Sequence, residues 1–97
     1  MEIYKLSDEL DSFNYQEVQD GIIAILEKGN DAVLDMTECN YVSSTGLRVL
    51  LYCKKMAASK GLRFCLVGVS DEVKDIMSVT GFNSFFETFN TLEEVKG

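Results

Sequence analysis

The sequence predicts an α/β fold: a single open, mostly parallel sheet of about four strands with amphipathic helices. Three observations predict it. Short apolar runs alternate with stretches whose apolar residues recur at helical spacing, glycines fall between them, and 46% of the 97 residues are apolar against 26% charged. That balance suits one packed core rather than a disordered or fibrous chain. No linker, repeat or low-complexity stretch divides the sequence, so residues 1–97 are expected to form one domain.

Ile3 to Leu6 is a short strand, followed by the polar run Ser7-Asp8-Glu9. Asn14 then caps a helix, with Glu17 completing a capping-box-like pair, and Tyr15, Val18, Ile22, Ile25 and Leu26 form its apolar side. Gly29-Asn30 ends it. Ala32 to Met36 is a continuous apolar run, as expected of a strand covered on both faces. A second helix runs from about Thr45 to Lys60, stopped by Gly61. Phe64 to Val67 is the next strand. Ser70 caps a third helix that carries Asp71 and Glu72 at the positive end of its dipole and stops at Gly81. Phe85 to Phe89 is a last strand, and Leu92 to Val95 a short closing helix. The order β-α-β-α-β-α-β-α implies parallel crossovers.

Composition excludes several chemistries. The chain has no histidine, which rules out Ser/His/Asp and Cys/His couples, and Gly46 lacks the companion glycines of a phosphate-binding loop. We expect no catalytic residues, no cofactor and no metal. Nine basic against sixteen acidic residues give a net charge of -7, which repels a phosphate backbone, so nucleic acid and an anionic membrane are poor partners and a protein is a better one. No apolar run approaches the about 20 residues that span a bilayer, and Met1 to Leu6 lacks the apolar region of a secretion signal, so the chain reads as cytoplasmic. Cys39, Cys53 and Cys65 are odd in number and contain no CxxC pair, as expected of buried reduced thiols.

The most informative stretch is Asn40 to Leu51, which joins a strand to a helix through Ser43, Ser44 and Thr45. A hydroxyl there sits where free backbone N–H groups and the helix dipole favour an anion, including a serine-borne phosphate. Three hydroxyl residues in a row also suit plain capping, which the spacing alone favours.

The run Val42-Ser43-Ser44-Thr45-Gly46-Leu47-Arg48-Val49-Leu50 resembles the signature turn of the STAS family of sulphate-transporter and anti-sigma-factor-antagonist domains. Leu6-Ser7-Asp8-Glu9-Leu10-Asp11 is similar to that family's Leu-x-Gly-Glu-Leu-Asp segment, with Asp8 in the place of its glycine. Phe64 to Ser70, then Val73 and Gly81-Phe82, fall where the family has a strand, a helix and a turn. The family's first edge strand has no counterpart, which would leave the Ile3 strand as a bare edge open to a homodimer.

The resemblance implies an anti-sigma-factor antagonist rather than an enzyme. Its partners would be an anti-sigma factor that is also a serine kinase, which phosphorylates the residue at Ser44 and loses its hold on the product, and a serine phosphatase that resets it. Asp11 would lie near that site, Gly46 would allow close backbone approach, and Ser43, Thr45 and Arg48 would support the site or touch the partner. Asp11 serves equally as a cap or Asx-turn, Ser43 as a structural cap, Arg48 as a solvated charge, and Tyr41 and Tyr52 as ordinary half-buried tyrosines. The other function compatible with the sequence is an unswitched STAS module of a transporter or stress-signalling assembly, in which Ser44 only caps.

Overall fold

Nine residues near the start of the chain, Glu2–Leu10, form the first strand, β1, in a computed structural model that describes residues 1–96. Helix α1 (Tyr15–Glu27), strand β2 (Ala32–Val42), helix α2 (Ser44–Ser59), strand β3 (Phe64–Val67) and helix α3 (Asp71–Thr80) follow. A 3₁₀ turn at Phe82–Phe85 leads to strand β4 (Glu87–Phe89) and helix α4 (Leu92–Lys96). The expected alternation is therefore present. The strands stand in the order β1-β2-β3-β4, every neighbouring pair parallel.

Side chains alternate across the sheet, and the two faces are unequally covered. Leu6, Leu10, Leu34, Met36, Phe64 and Leu66 point to the side where Val18 and Ile22 of α1, Leu47 and Leu50 of α2, and Val73 and Met77 of α3 close over them. On the other side Val33, Cys65 and Val67 meet Val95 of α4, with Phe89 and Leu92 packed around them. Continuous apolar runs in β2 and β3 follow from this, since both their faces are buried. At the edge of the sheet Ile3 remains 44% exposed.

Two strands are longer than the sequence suggests. β1 continues past Leu6 to Leu10, and β2 past Met36 to Val42. The ladder slips between Lys5 and Ser7 and again between Asp8 and Glu9, so that the partner of Lys5 is Asp35 while that of Ser7 is Glu38. Both slips place an extra residue on β2, and each such bulge breaks the apolar/polar alternation from which a strand is read. Asp8 takes up the strain as the non-glycine residue with positive φ, at 59°, where the family pattern has glycine.

Local details also differ from the sequence reading. Phe85 belongs to the 3₁₀ turn, not the last strand, because Gly81 at φ 78° turns the chain and Phe82 and Phe85 stack edge to face at 5.9 Å. Asn14 makes no side-chain cap to α1. Its Oδ1 accepts from the Asp11 N–H at 2.9 Å and its Nδ2 donates to the Glu9 carbonyl at 2.7 Å, so the amide ties the end of β1 to the helix start instead. The expected capping box is absent for that reason.

Candidate functional site

Leu10 ends β1 opposite Val42, which ends β2, and the two chain exits stay joined: the Ser43 N–H donates to the Leu10 carbonyl at 2.9 Å. Ser43 has extended backbone at φ -78° and ψ 173°, and its Oγ accepts from the Gly46 N–H at 3.1 Å. It is the N-cap of α2. The cap fixes the next residue, Ser44, as the first of the helix. Ser44 is exposed, and among the described residues its side chain has no hydrogen-bond partner. Thr45 is half-buried.

Gly46 is buried because α2 crosses the end of β1 at contact distance. A Cβ there would lie 2.7 Å from the Leu10 carbonyl oxygen and 2.8 Å from Val42 Cγ1. Leu47 beside it enters the core. A hydroxyl-rich turn followed by Gly-Leu is thus the local solution for bringing a helix start hard against two strand ends.

Asp11 closes the other loop of this end. Its Oδ1 accepts from the Phe13 N–H at 2.9 Å and the Asn14 N–H at 3.3 Å, an Asx-turn that holds the β1–α1 connection. The loop lifts Phe13 almost wholly into solvent, 95% exposed. Sequence reasoning passed over this residue, although an aromatic side chain isolated between Ser12 and Asn14 has no apolar neighbour in the chain to pack with. Tyr41, 47% exposed, sits just before the hydroxyl turn. Arg48 lies one helical turn after Ser44 and is exposed, with no ion pair among the described residues.

The thiols are held inside the core, Cys39 beside this end with its Sγ donating to the Tyr41 carbonyl at 3.4 Å. Cys39, Cys53 and Cys65 are free and buried. Burial pushes the Cys53 thiol up to about 12 and, helped by Glu87, the Cys65 thiol up to about 11, so both are protonated at neutral pH. A surface cleft of about 390 Å³ lies between α3 and β4 and shares no lining residue with the hydroxyl turn. No helix among the described residues is long and apolar enough to cross a membrane.

Fold and turn define the class: an α/β domain with a four-strand parallel sheet and a serine-rich strand-to-helix turn at one end. The chain belongs to the STAS domain family, whose sequence model matches residues 2–95. BtrV, a candidate anti-sigma factor antagonist of Bordetella bronchiseptica, is 30% identical over 89 residues, which cover 91% of this chain and 77% of that protein. The anti-sigma-B factor antagonist of Listeria monocytogenes is 26% identical over 93 residues, covering 95% and 82%.

Solved structures agree on the fold. A candidate anti-sigma factor antagonist of Thermotoga maritima superposes with a TM-score of 0.86 at 23% identity, over 97% of this chain and 84% of that one. The unphosphorylated anti-sigma factor antagonist SpoIIAA gives 0.79 at 18% identity over 97% and 83%. The phosphorylated form of SpoIIAA, a Bacillus cell fate determinant, gives 0.71 at 17% over 97% and 86%.

Proposed function

We propose that this chain is a cytoplasmic anti-sigma-factor antagonist whose grip on an anti-sigma factor, itself a serine kinase, is switched by phosphorylation of Ser44. The observation that carries this is the division of labour in the turn. Ser43 does the capping, which leaves the Ser44 hydroxyl exposed and, among the described residues, without a bond to break. In the transfer, Ser44 Oγ attacks the γ-phosphorus of ATP, ADP leaves, and the hydroxyl proton passes to a base of the kinase. The product carries about -1.5 to -2 charges at pH 7 where a neutral hydroxyl stood. Set into a desolvated contact, that charge costs the complex several kcal/mol, so the partner is released with no change of fold. A serine phosphatase restores the hydroxyl.

Relatives named as antagonists support this reading, as does the existence of SpoIIAA in a phosphorylated form. Exposed Phe13, Tyr41 and Arg48, on the β1–α1 loop, the end of β2 and the start of α2, would supply the contact surface, with Phe13 an aromatic anchor of the kind that dominates protein interfaces. Asp11 shapes the neighbouring loop through its Asx-turn, and Gly46 sets the close approach. The outer edge of β1 is where a second copy could add its strand.

Incubation with the cognate kinase and ATP, followed by mass-spectrometric mapping, should place the phosphate on Ser44. Phosphate on Ser43 or Thr45, or none, overturns the assignment. Ser44→Asp should bind the kinase at least tenfold more weakly, and Ser44→Ala should bind and never be released. Binding untouched by Ser44→Asp would instead make the chain an unswitched module.

A further inference from the structure

In a chain of net charge -7, α2 is a basic element: residues 44–59 hold Arg48, Lys54 and Lys55 and no Asp or Glu. The ion pairs of the described residues all lie elsewhere, Lys5 with Glu38, Lys28 with Glu2 and Arg63 with Glu87. Arg48 is thus a cation kept free one turn from the hydroxyl that the proposed function modifies. Ser44, Arg48 and Tyr52 are spaced i, i+4 and i+8 and are all exposed, so they share one line on the outer face of the helix.

Direction matters as much as spacing. Long side chains on a helix lean toward its N-terminus and over the residue four positions earlier, which for Arg48 is Ser44. Guanidinium also suits the partner: its planar N–H fork matches two phosphate oxygens at once, which an ammonium cannot do. Nothing acidic on α2 competes for it.

We infer that Arg48 is the internal counter-cation of the Ser44 phosphate, folding back along the helix to hold it in a charge-assisted pair once the residue is modified. This rests on the proposed phosphorylation of Ser44 and adds a positioning residue to it. Phosphorylation then acts twice on the docking surface: it adds a dianion, and it withdraws the arginine that the unmodified face offers to a partner. The modified helix start is also stiffer, because the pair spans its first turn.

The test uses the full chain with phosphoserine encoded at position 44 during translation, compared with the unmodified chain, in the native, Arg48→Gln, Arg48→Lys and Lys55→Gln backgrounds. At low salt the phosphate should raise the thermal midpoint of the native background by about 4 °C, a size set by one charge-assisted pair in a domain of this length. Arg48→Gln should remove at least half of that rise, and Arg48→Lys should keep part of it. Lys55→Gln, an exposed cation further along the same helix, should keep all of it. In 0.5 M NaCl the difference between the native and Arg48→Gln backgrounds should collapse, as expected of an exposed pair.

An equal rise in the native and Arg48→Gln backgrounds overturns the inference, as does a loss in Lys55→Gln as large as that in Arg48→Gln. The phosphate is installed without a kinase, so a kinase that ignores Ser44 overturns the proposed function and leaves this measurement standing on its own.

Discussion

Two residues carry backbone constraints near this end of the sheet, Gly46 at the start of α2 and Asp8 at a bulge in β1. Gly46 lacks a Cβ where one would press 2.7 Å from the Leu10 carbonyl and 2.9 Å from Leu10 Cγ. Alanine is the better helix former by about 0.5 to 1 kcal/mol, but forced overpacking against fixed backbone costs about 1 to 3 kcal/mol. The clash wins, so Gly46→Ala should lower stability by about 1 kcal/mol or more, read as a lower urea midpoint with unchanged slope. Asp8 presents the opposite case. It sits at φ 59°, in a region where a side chain costs energy and glycine does not. Glycine also loosens the unfolded chain, which takes back part of the gain. Asp8→Gly should therefore stabilise by about 0.5 kcal/mol, a rise of about 2 to 4 °C in the thermal midpoint. A fall would mean that the Asp8 side chain contributes more than its backbone costs.

At the scale of the element, α2 opens with adjacent serines, of which Ser43 caps and Ser44 is the residue proposed to switch. Removing the cap with Ser43→Ala should cost about 1 kcal/mol of stability, since the Gly46 N–H loses its acceptor. Ser44→Ala should stay within about 0.5 kcal/mol of the native chain, as exposed substitutions do, while abolishing phosphorylation. Paired urea titrations and phosphorylation assays of the two variants separate the roles, and a larger stability loss at Ser44 than at Ser43 would reverse them. The order of elements was legible in the sequence because apolar runs, Ser70, Gly61 and Gly81 mark strands, caps and stops locally. The lengths of β1 and β2 were not: Ser7 to Glu9 and Thr37 to Asn40 look like loop, and only pairing across two bulges makes them strand. The hydroxyl turn was legible from its spacing as a helix cap and only through the family resemblance as a candidate site, while the Asx-turn that presents Phe13 depends on where Asn14 turns its amide, which no local pattern records.

Across the whole molecule, the packed interior rests on thiols that stay protonated, and this gives it an alkaline limit. The folded Cys53 thiol lies at about 12 because it is buried, well above the unfolded value near 9, and burial raises Cys39 as well. A raised folded value means that stability is fully present below the unfolded value and is lost as pH rises toward the folded one. Cys53 alone should then cost about 1.4 kcal/mol per pH unit above about pH 9, or about 2 kcal/mol by pH 10.5. Each thiolate would join a chain already at -7, so self-repulsion adds to the loss. Urea unfolding at a series of pH values should show a plateau near neutrality and a steep fall above pH 9. Cys53→Ala, though less stable at pH 7 for the small cavity it leaves, should fall more gently over the alkaline range. An equal slope in the two proteins would show that the thiol ionises without resistance from the fold. Native protein at pH 8 should leave all three thiols unlabelled by a soluble disulfide reagent until urea is added, because the thiolate that reacts is the form the core excludes.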